Sequence, residues 1–265
     1  MPSAYREHPP PPALAPWVEC TWTRTVSEPA TPSTVLPDGC LDIVVWSDGV
    51  PGVAGPDTSP VTFALRPGAV LGLRFHPGRA VDALGMPASE LRDRRVALFD
   101  LWGDDALRLE ERLAASADVE ARRRAVEQAV AARLLPVGRP DPLFGAAVAE
   151  LTHGGRRVAD LADTLGIGER QLLRRFDRAV GYGPKTLDRV LRLQRLLRAL
   201  DAGRGDDLAW LALDLGYADQ AHMTREAVRL AGRTPGELRQ ARGPAGGQSP
   251  TGVQSSTRVP SGSRT

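Results

Sequence analysis

An internal repeat in the second half of the chain restricts its fold more than any other feature. The segment Leu161–Ile167 (Leu-Ala-Asp-Thr-Leu-Gly-Ile) returns fifty positions later as Leu211–Tyr217 (Leu-Ala-Leu-Asp-Leu-Gly-Tyr). In each copy a short helix with an alanine at its packing position ends in leucine, and glycine supplies the positive φ that the turn needs. The next apolar residue can pack under a following helix. The repeat therefore predicts two helix-turn-helix units.

A second helix is expected in each unit, from about residue 168 to 180 in the first and, with Asp219 as its cap, to about Leu230 in the second. In the first of them, Leu172, Phe176 and Ala179 are spaced i, i+4 and i+7 and form an inward stripe. Arginine in the leading turns of such a helix can bind guanine O6 and N7 through a bidentate fork. The candidate base-contacting residues lie on the outward faces of both helices: Arg170, Leu173, Arg174, Gln220, Ala221, Thr224 and Arg225.

Other polar residues are better placed for phosphates than for bases. These candidates are Gln171, Arg175, Arg178, Lys185 and Arg229. Between the units, Pro184 is expected to begin a helix that ends near Asp201 and spans roughly 25 Å. A rigid spacer of this size can hold two reading helices about one DNA turn, roughly 34 Å, apart. A capping-box pattern at Thr234–Glu237 predicts one final short helix.

The stretch Val158–Leu238 resembles the DNA-binding domain of the AraC/XylS family across essentially its full length. The matching motifs are Leu-Gly-Ile followed by Leu-Leu-Arg-Arg-Phe, Gly181–Pro184, the Arg/Leu-rich linker helix, and Leu-Gly-Tyr-Ala-Asp-Gln-Ala-His-Met-Thr-Arg ending in Gly232–Pro235. The resemblance implies a transcription regulator, with a double-stranded DNA operator and RNA polymerase as partners and no cofactor. Two positions depart from the family pattern: Gly168 replaces the usual serine cap, and Ala227 the usual core phenylalanine.

The first half has a different character, mostly β from about residue 15 to 76 and helical after it. A Pro-Asp-Gly turn divides Val35–Val45, and Val61–Leu65 and Ala69–Phe75 favour further strands. After Pro77 the composition favours helices. They are expected at Val81–Leu84, near residues 87–91, at Asp104–Ala115 and at Val119–Leu135. The predicted fold class is therefore α+β.

Residues 5–135 also resemble the small cupin-like β domain with a helical extension that precedes this DNA-binding module in a poorly characterised subset of the family. The matching pieces are Trp17–Trp22, Leu36–Asp42 and Gly72–Gly78. In the wider family such domains bind small effectors or dimerise, which implies an effector of unknown identity and a homodimer. An effector pocket with one charged handle is expected at Trp17, Trp22, Trp46 and Arg74, although tryptophans in a small β domain are often simply core residues.

The expected organisation is a mostly β sensor domain over 1–80, a helical connector over 81–139, a double helix-turn-helix domain over 140–242 and a disordered tail over 243–265. Residues 1–139 hold 15 arginines and 18 acidic residues, whereas 140–242 hold 17 basic and 14 acidic residues. Only the C-terminal part is therefore basic. Because a solvated face gives a similar excess, the DNA-binding prediction depends on the placement of the arginines.

The sequence shows no export or membrane features and two cysteines, Cys20 and Cys40. No apolar run approaches the ~20 residues of a membrane span, and the proline-rich start is unlike a signal peptide. A cytoplasmic protein with reduced, buried cysteines is expected. An alternative stays open, in which one of these thiols is alkylated or oxidised and the C-terminal domain reports the event. Such a thiol would be partly exposed beside cationic groups.

Catalytic and metal-binding patterns are missing from the sequence. The histidines are dispersed, and no zinc-like Cys/His spacing occurs. Asp38 and Asp42 flank Cys40, but the turn explains the first and a strand-edge hydrogen bond the second. Hydrolase-type Ser/His/Asp ordering and glycine-rich phosphate loops are also missing. Neither an enzyme nor a metal site is expected.

Overall fold

The computed structural model describes residues 4–26, 32–64, 66–153 and 158–242. Within them, one hydrophobic core is built from the N-terminal strands and connector helices and another mainly from the C-terminal helices. The α+β class is confirmed. The tail from residue 243 onward lies outside the described residues, as does Leu65 at the end of one expected strand. No helix in the described stretches is long and apolar enough to cross a lipid bilayer.

Among the described residues of the N-terminal half, eight strands form two antiparallel sheets. They are β1 (Ala4–His8), β2 (Val18–Val26), β3 (Ser33–Val35), β4 (Asp42–Val45), β5 (Pro51–Ala54), β6 (Val61–Phe63), β7 (Gly68–Phe75) and β8 (Arg95–Ala97). The larger sheet has the order β1-β2-β7-β4-β5-β8, and β3 pairs with β6. No individual strand was predicted at β1, β2, β5 or β8, because segments that contain proline, glycine or several polar residues give a weak strand signal.

Helices cover one face of the larger sheet. They are α1 (Val81–Leu84), α2 (Ala88–Leu91), α3 (Phe99–Trp102), α4 (Asp104–Ala114) and α5 (Val119–Leu134). All of these except α3 were predicted. Asp118 caps α5 by accepting a hydrogen bond from the Ala121 amide at 2.7 Å. Buried Thr21 of β2 donates to Glu127 of α5 at 3.2 Å, which fixes this helix against the sheet.

In the described part of the C-terminal half there are seven helices, and most of them pack around one. They are α6 (Pro142–His153), α7 (Val158–Thr164), α8 (Glu169–Val180), α9 (Pro184–Asp201), α10 (Leu208–Asp214), α11 (Gln220–Ala231) and α12 (Pro235–Arg242). Helix α9 is the predicted linker helix with the expected bounds, and its apolar residues lie inside the second core. The predicted capping box is present, since the Glu237 carboxylate accepts from the Thr234 amide at 2.7 Å and the Thr234 hydroxyl accepts from the Glu237 amide at 3.3 Å.

The two repeated turns are alike in their hydrogen bonds. Gly166 has a φ of 62° and Gly216 a φ of 78°. The amide after each glycine reaches back to the alanine carbonyl of the first helix, at 3.1 Å for Ile167 to Ala162 and 2.9 Å for Tyr217 to Ala212. This is the helix end that glycine favours, because an L side chain resists a positive φ. The repeat found in the sequence is thus a repeat of structure.

The N-terminal half docks onto the C-terminal helices through the loop between β3 and β4. Leu36 of this loop is buried within the second core. The carbonyl oxygen of Pro37 accepts a hydrogen bond from Nε2 of Gln194 on α9 at 2.6 Å. A second contact lies at the end of α8, where Arg92 donates to the Gly181 carbonyl at 3.0 Å. The two halves are therefore joined at both α9 and the end of α8.

Two equivalent glycines allow the docking contact to be tested. Gly181 ends α8 and Gly232 ends α11, both with positive φ. A Cβ on Gly181 would lie 2.8 Å from the Ala88 carbonyl oxygen, whereas a Cβ on Gly232 would meet its nearest neighbour at an ordinary 3.6 Å. Gly232→Ala should lower the free energy of unfolding by about 1–3 kcal/mol through backbone strain alone. Gly181→Ala should lose about 1–3 kcal/mol more through overpacking.

Urea unfolding of both variants measures this difference in the free energy of unfolding. Equal losses for Gly181→Ala and Gly232→Ala would show that the contact between α2 and the end of α8 is loose in solution.

Candidate nucleic-acid interface

Helix α8 presents a free cationic face. Leu172 and Phe176 are buried beneath it, while Arg170, Leu173 and Arg174 are exposed. Among the residues that the structure describes, neither Arg170 nor Arg174 has an ion pair or a side-chain hydrogen bond. Their guanidinium groups are open to a ligand from outside.

The pairing of arginines distinguishes α8 and α11 from the linker helix. On α9, Arg189 pairs with Glu226 at 3.3 Å, and Arg195 donates to the Thr152 carbonyl at 2.9 Å. Arg192 pairs with Asp188 and also donates to the Gly216 carbonyl at 3.1 Å. These side chains stabilise the fold. By contrast, the exposed arginines of the two recognition helices have no such partner in the described part of the chain: Arg170, Arg174, Arg178, Arg225 and Arg229.

Helix α11 begins at a side-chain cap. Asp219 accepts a hydrogen bond from the His222 amide at 2.6 Å, as expected. Gln220, Ala221 and Arg225 are exposed in its leading turns. Thr224 is half-buried, and its hydroxyl donates to the Gln220 carbonyl at 2.9 Å, so that its methyl group and oxygen lone pairs are what it offers outward.

Below this face, His222 and Ala227 have structural positions. His222 lies 3.3 Å from Glu226 and stacks edge-on against Tyr217, so it packs within its own unit. Ala227, at the family's phenylalanine position, is fully buried in the second core.

The residues expected at phosphates are not equivalent. Gln171, Arg178, Lys185 and Arg229 are exposed. Arg175 is half-buried and lies 3.5 Å from the Asp141 carboxylate at the start of α6. A phosphate at this position would have to share or replace the Asp141 contact. No local pattern indicates this ion pair, because the two residues are distant along the chain.

Sequence reasoning missed an apolar patch on α10, defined by Trp210 and Leu213. Their side chains are 55% and 63% exposed, and the Arg204 guanidinium lies 5.3 Å from the Trp210 ring centre. The helical period could have revealed the patch. Since Leu211 and Ala212 face the core, the flanking residues Trp210 and Leu213 lie on the outward side of the helix.

The missing cap at the start of α8 provides a second test. Gly168 precedes the helix with φ −67° and ψ 147°, makes no side-chain cap and leaves open space where a Cβ would be. Gly168→Ser should therefore raise the free energy of unfolding by about 0.5–1 kcal/mol, by adding a cap and by stiffening the unfolded chain.

The matched control is Gly166→Ser, two residues earlier, which should destabilise because φ there is 62°. Thermal unfolding compares the two variants. A lower melting temperature for Gly168→Ser would mean that this helix start differs from the one described.

In the N-terminal half, a cavity of about 70 Å³ lies on the sheet face away from the connector helices and is lined by Trp22, Trp46 and Arg74. Arg74 is 5% exposed and reaches the Asp42 carboxylate at 3.3 Å. The Trp22 indole donates to the same carboxylate at 2.8 Å. Three of the four residues expected at an effector pocket therefore lie around one cavity.

Trp17, the fourth expected pocket residue, lies elsewhere. It is buried in the first core with Leu14 and Val18. It precedes β2 in a turn, where its amide donates to the Leu14 carbonyl at 2.9 Å, so the strand alternation that places Trp22 at the cavity does not extend to it. The prediction that Trp17 lines the pocket is therefore wrong. Strand β2 itself carries a bulge at Glu19, between Val18 and Cys20.

Both cysteines are buried and free. Burial raises the pKa of the Cys20 thiol and, with Asp38 and Glu19 nearby, raises that of Cys40 well above its usual range. The Cys40 thiol donates to a Glu19 carboxylate oxygen at 3.7 Å. Arg74 opposes these shifts, but burial is the larger effect on both thiols. The reactive thiolate is therefore disfavoured at both positions.

Native thiol labelling should accordingly be slow. At neutral pH a methanethiosulfonate reagent should modify the native protein at least about tenfold more slowly than the urea-unfolded chain, because each unit of raised pKa lowers the thiolate fraction tenfold. Cys20→Ala and Cys40→Ala assign the rates. Rapid labelling of one thiol in the native state would revive the cysteine-reactive alternative.

In the described part of the chain, no three His, Cys, Asp or Glu residues are grouped in a way that could hold a metal ion.

Comparisons with known proteins match the two halves separately. Residues 161–241 match a family described as a helix-turn-helix domain, and residues 6–97 match one described as a domain of unknown function (DUF6597). A Streptomyces lividans protein, named as an AraC-like transcription regulator, is 32% identical over 106 residues. That match covers 39% of this chain and 34% of the relative, so the chain spans about a third of the relative's length.

Solved structures of ToxT from Vibrio cholerae are also similar. One is 10% identical with a TM-score of 0.44 and covers 83% of this chain and 97% of its own. Another, bound to (E)-4-(8-methylnaphthalen-1-yl)but-3-enoic acid, is 10% identical with a TM-score of 0.40 and covers 91% and 98%.

Proposed function

We propose that this chain, whose residues 161–241 form a helix-turn-helix domain of the AraC type, binds double-stranded DNA at specific sequences and thereby regulates transcription. One observation carries the proposal. Two turns with the same hydrogen bonds precede two helices, α8 and α11, whose exposed arginines have no partner within the described residues. Unpaired, exposed guanidinium groups on such helices fit the phosphates and guanine edges of DNA.

The linker helix sets how the two helices meet DNA. At 1.5 Å per residue, the 18 residues of α9 extend about 27 Å. Both units pack on this one rod, so α8 and α11 are held at a fixed separation. Such a separation suits entry into successive major-groove segments on one side of the duplex, roughly 34 Å apart. One chain would then read two adjacent segments.

Base recognition is assigned to the leading turns of each helix. Arg170 and Arg174 provide bidentate donors for guanine, and Leu173 an apolar contact for a thymine methyl group. On α11, Gln220 and Arg225 provide polar contacts. Ala221 and the methyl group of Thr224 are small enough to let the helix approach the base edges. The residues assigned to phosphates are Gln171, Arg175, Arg178, Lys185 and Arg229.

The N-terminal half is proposed to sense a small effector. The cavity at Trp22, Trp46 and Arg74 has a volume of about 70 Å³. A cavity needs about 10–15 Å³ of this volume for each water molecule, so this cavity has room for only about five groups of that size. A larger effector therefore needs another place to bind. Cysteine sensing is not favoured, since both thiols are buried beside acidic groups. RNA polymerase and a second copy of the chain stay predictions as partners.

Neighbouring arginines on α8 test the assignment. Arg174→Ala should weaken binding to a selected operator by about 1–3 kcal/mol and relax preference at one base pair, since a bidentate donor is lost. Arg175→Ala should weaken all sequences alike and reduce the slope of log affinity against log salt by about one, or less if Asp141 keeps the side chain. Binding titrations at several salt concentrations, on the operator and its single-base variants, give both quantities.

Arg6→Ala is the matched control, because Arg6 is an exposed arginine on β1 far from α8 in the sequence. It should change neither affinity nor salt slope. If Arg175→Ala alters base preference while Arg174→Ala lowers only the slope, the helix is rotated from the orientation assigned. If both variants keep the base preference of the wild type, α8 does not read the DNA sequence.

A further inference from the structure

A larger cavity, of about 360 Å³, lies between the two halves of the protein. Its N-terminal wall includes Glu19, Asp38 and Cys40, and its C-terminal wall is formed by α6 and by Leu191, Gln194 and Arg198 of α9. This volume is within the range of about 300–1,000 Å³ that small-molecule sites occupy, and such sites often lie between domains. We propose that this interdomain cavity binds a small molecule with an ammonium group, which Glu19 receives.

Glu19 occupies an unusual position on the N-terminal wall. It is the extra residue of the β2 bulge, so it is removed from the regular alternation of the strand. Bulges often redirect a side chain at a functional site. The only donor that contacts the Glu19 carboxylate among the described residues is the Cys40 thiol, at 3.7 Å. Glu19 is half-buried, and an ionised carboxylate has about four acceptor positions, so most of them are left for a ligand.

The charges behind Glu19 favour a cation. Buried Arg74 lies 3.3 Å from Asp42, 3.6 Å from Asp38 and 3.9 Å from Glu7. Three carboxylates therefore share one guanidinium group, and the Glu19 carboxylate lies within the electrostatic influence of Arg74, Asp38, Asp42 and Glu7. Burial and the neighbouring acids raise the pKa of Glu19, against the opposing effect of Arg74. An ammonium group placed here would relieve the repulsion among the acids and leave Glu19 ionised.

The remaining walls indicate what the rest of the ligand needs. Arg79 donates to the Asp141 carbonyl at 2.9 Å, and Arg198 to the Gln194 carbonyl at 3.3 Å. Both guanidinium groups carry further donors. Val148 and Leu191 add apolar surface. A short apolar chain with an ammonium group at one end and a carboxylate at the other therefore fits better than a simple amine.

The same loop forms the cavity wall and the docking contact. Asp38 and Cys40 line the cavity, while Pro37 between β3 and β4 accepts the hydrogen bond from Gln194 of α9 at 2.6 Å. Gly39 packs so closely that a Cβ there would lie 2.9 Å from a Leu187 methyl group. A ligand in contact with both Glu19 and α9 thus binds differently when the halves are docked and when they are apart. Such a differential affinity is what allows a ligand to shift a conformational equilibrium.

This last step rests on the proposed DNA-binding function, whereas ligand binding itself does not. The full chain without DNA should be titrated with four probes of matched length: 5-aminopentanoate, pentylammonium, pentanoate and pentanol. Ligand-detected saturation-transfer NMR reports even millimolar binding. The ammonium probes should bind, 5-aminopentanoate more tightly, and the other two should not. Glu19→Gln should weaken both ammonium probes at least about tenfold, as expected for loss of a buried ion pair.

Two further variants keep the result interpretable. Glu111→Gln, on an exposed site of α4, is the matched control and should bind the probes like the wild type. Val148→Phe fills the cavity without touching a carboxylate and should also abolish binding. The proposal is overturned if neither ammonium probe binds, or if pentanol binds as tightly as pentylammonium. It is also overturned if Glu19→Gln binds the ammonium probes as tightly as the wild type. Separately, unliganded protein that fails to bind DNA would overturn the proposed function and leave the cavity result intact.

Discussion

The packing of helix α9 is the constraint on which the rest of the structure depends. Its inward residues, Leu187, Val190, Leu193 and Leu196, are 0–1% exposed. Truncating any one of them to alanine costs about 2–5 kcal/mol in a well-packed core. Arg192 and Arg195 then attach the second unit and α6 to the same rod. A recognition helix on either side can therefore not move independently, which is how one helix converts two small units into a single reading surface.

Buried electrostatics play the corresponding role in the N-terminal half. Arg74 is almost completely enclosed, and a buried guanidinium is tolerable only with carboxylates around it. Asp42 forms an ion pair with Arg74 and accepts a hydrogen bond from the Trp22 indole. Asp38 joins the same cluster from the loop that contacts α9. Adjacent residues of one loop therefore contact the two regions: Asp38 contacts Arg74, and Pro37 contacts α9. This loop links the proposed sensor to the proposed DNA-binding helices.

Local signals were enough to predict most of the C-terminal half. The bounds of α9, the Asp219 cap and the Thr234 capping box follow from residues within one turn of each other, and the structure confirms them. The features that the sequence did not predict depend on residues that are distant along the chain. The bulge at Glu19 becomes visible only when β2 meets β7. Trp17 lies in the turn before β2 and packs into the first core, which the alternation along the strand does not indicate. Likewise, no local pattern could show Leu36 entering the second core or Arg175 meeting Asp141.

One chain is proposed to read two adjacent DNA segments through a fixed pair of helices. Missing-base interference on an operator selected from a random pool is the sharpest test of this reading. Two clusters of essential bases are expected on one face of the duplex, about 10 base pairs apart centre to centre, for a single bound chain. A single cluster, or uniform weakening with no essential bases, would contradict it.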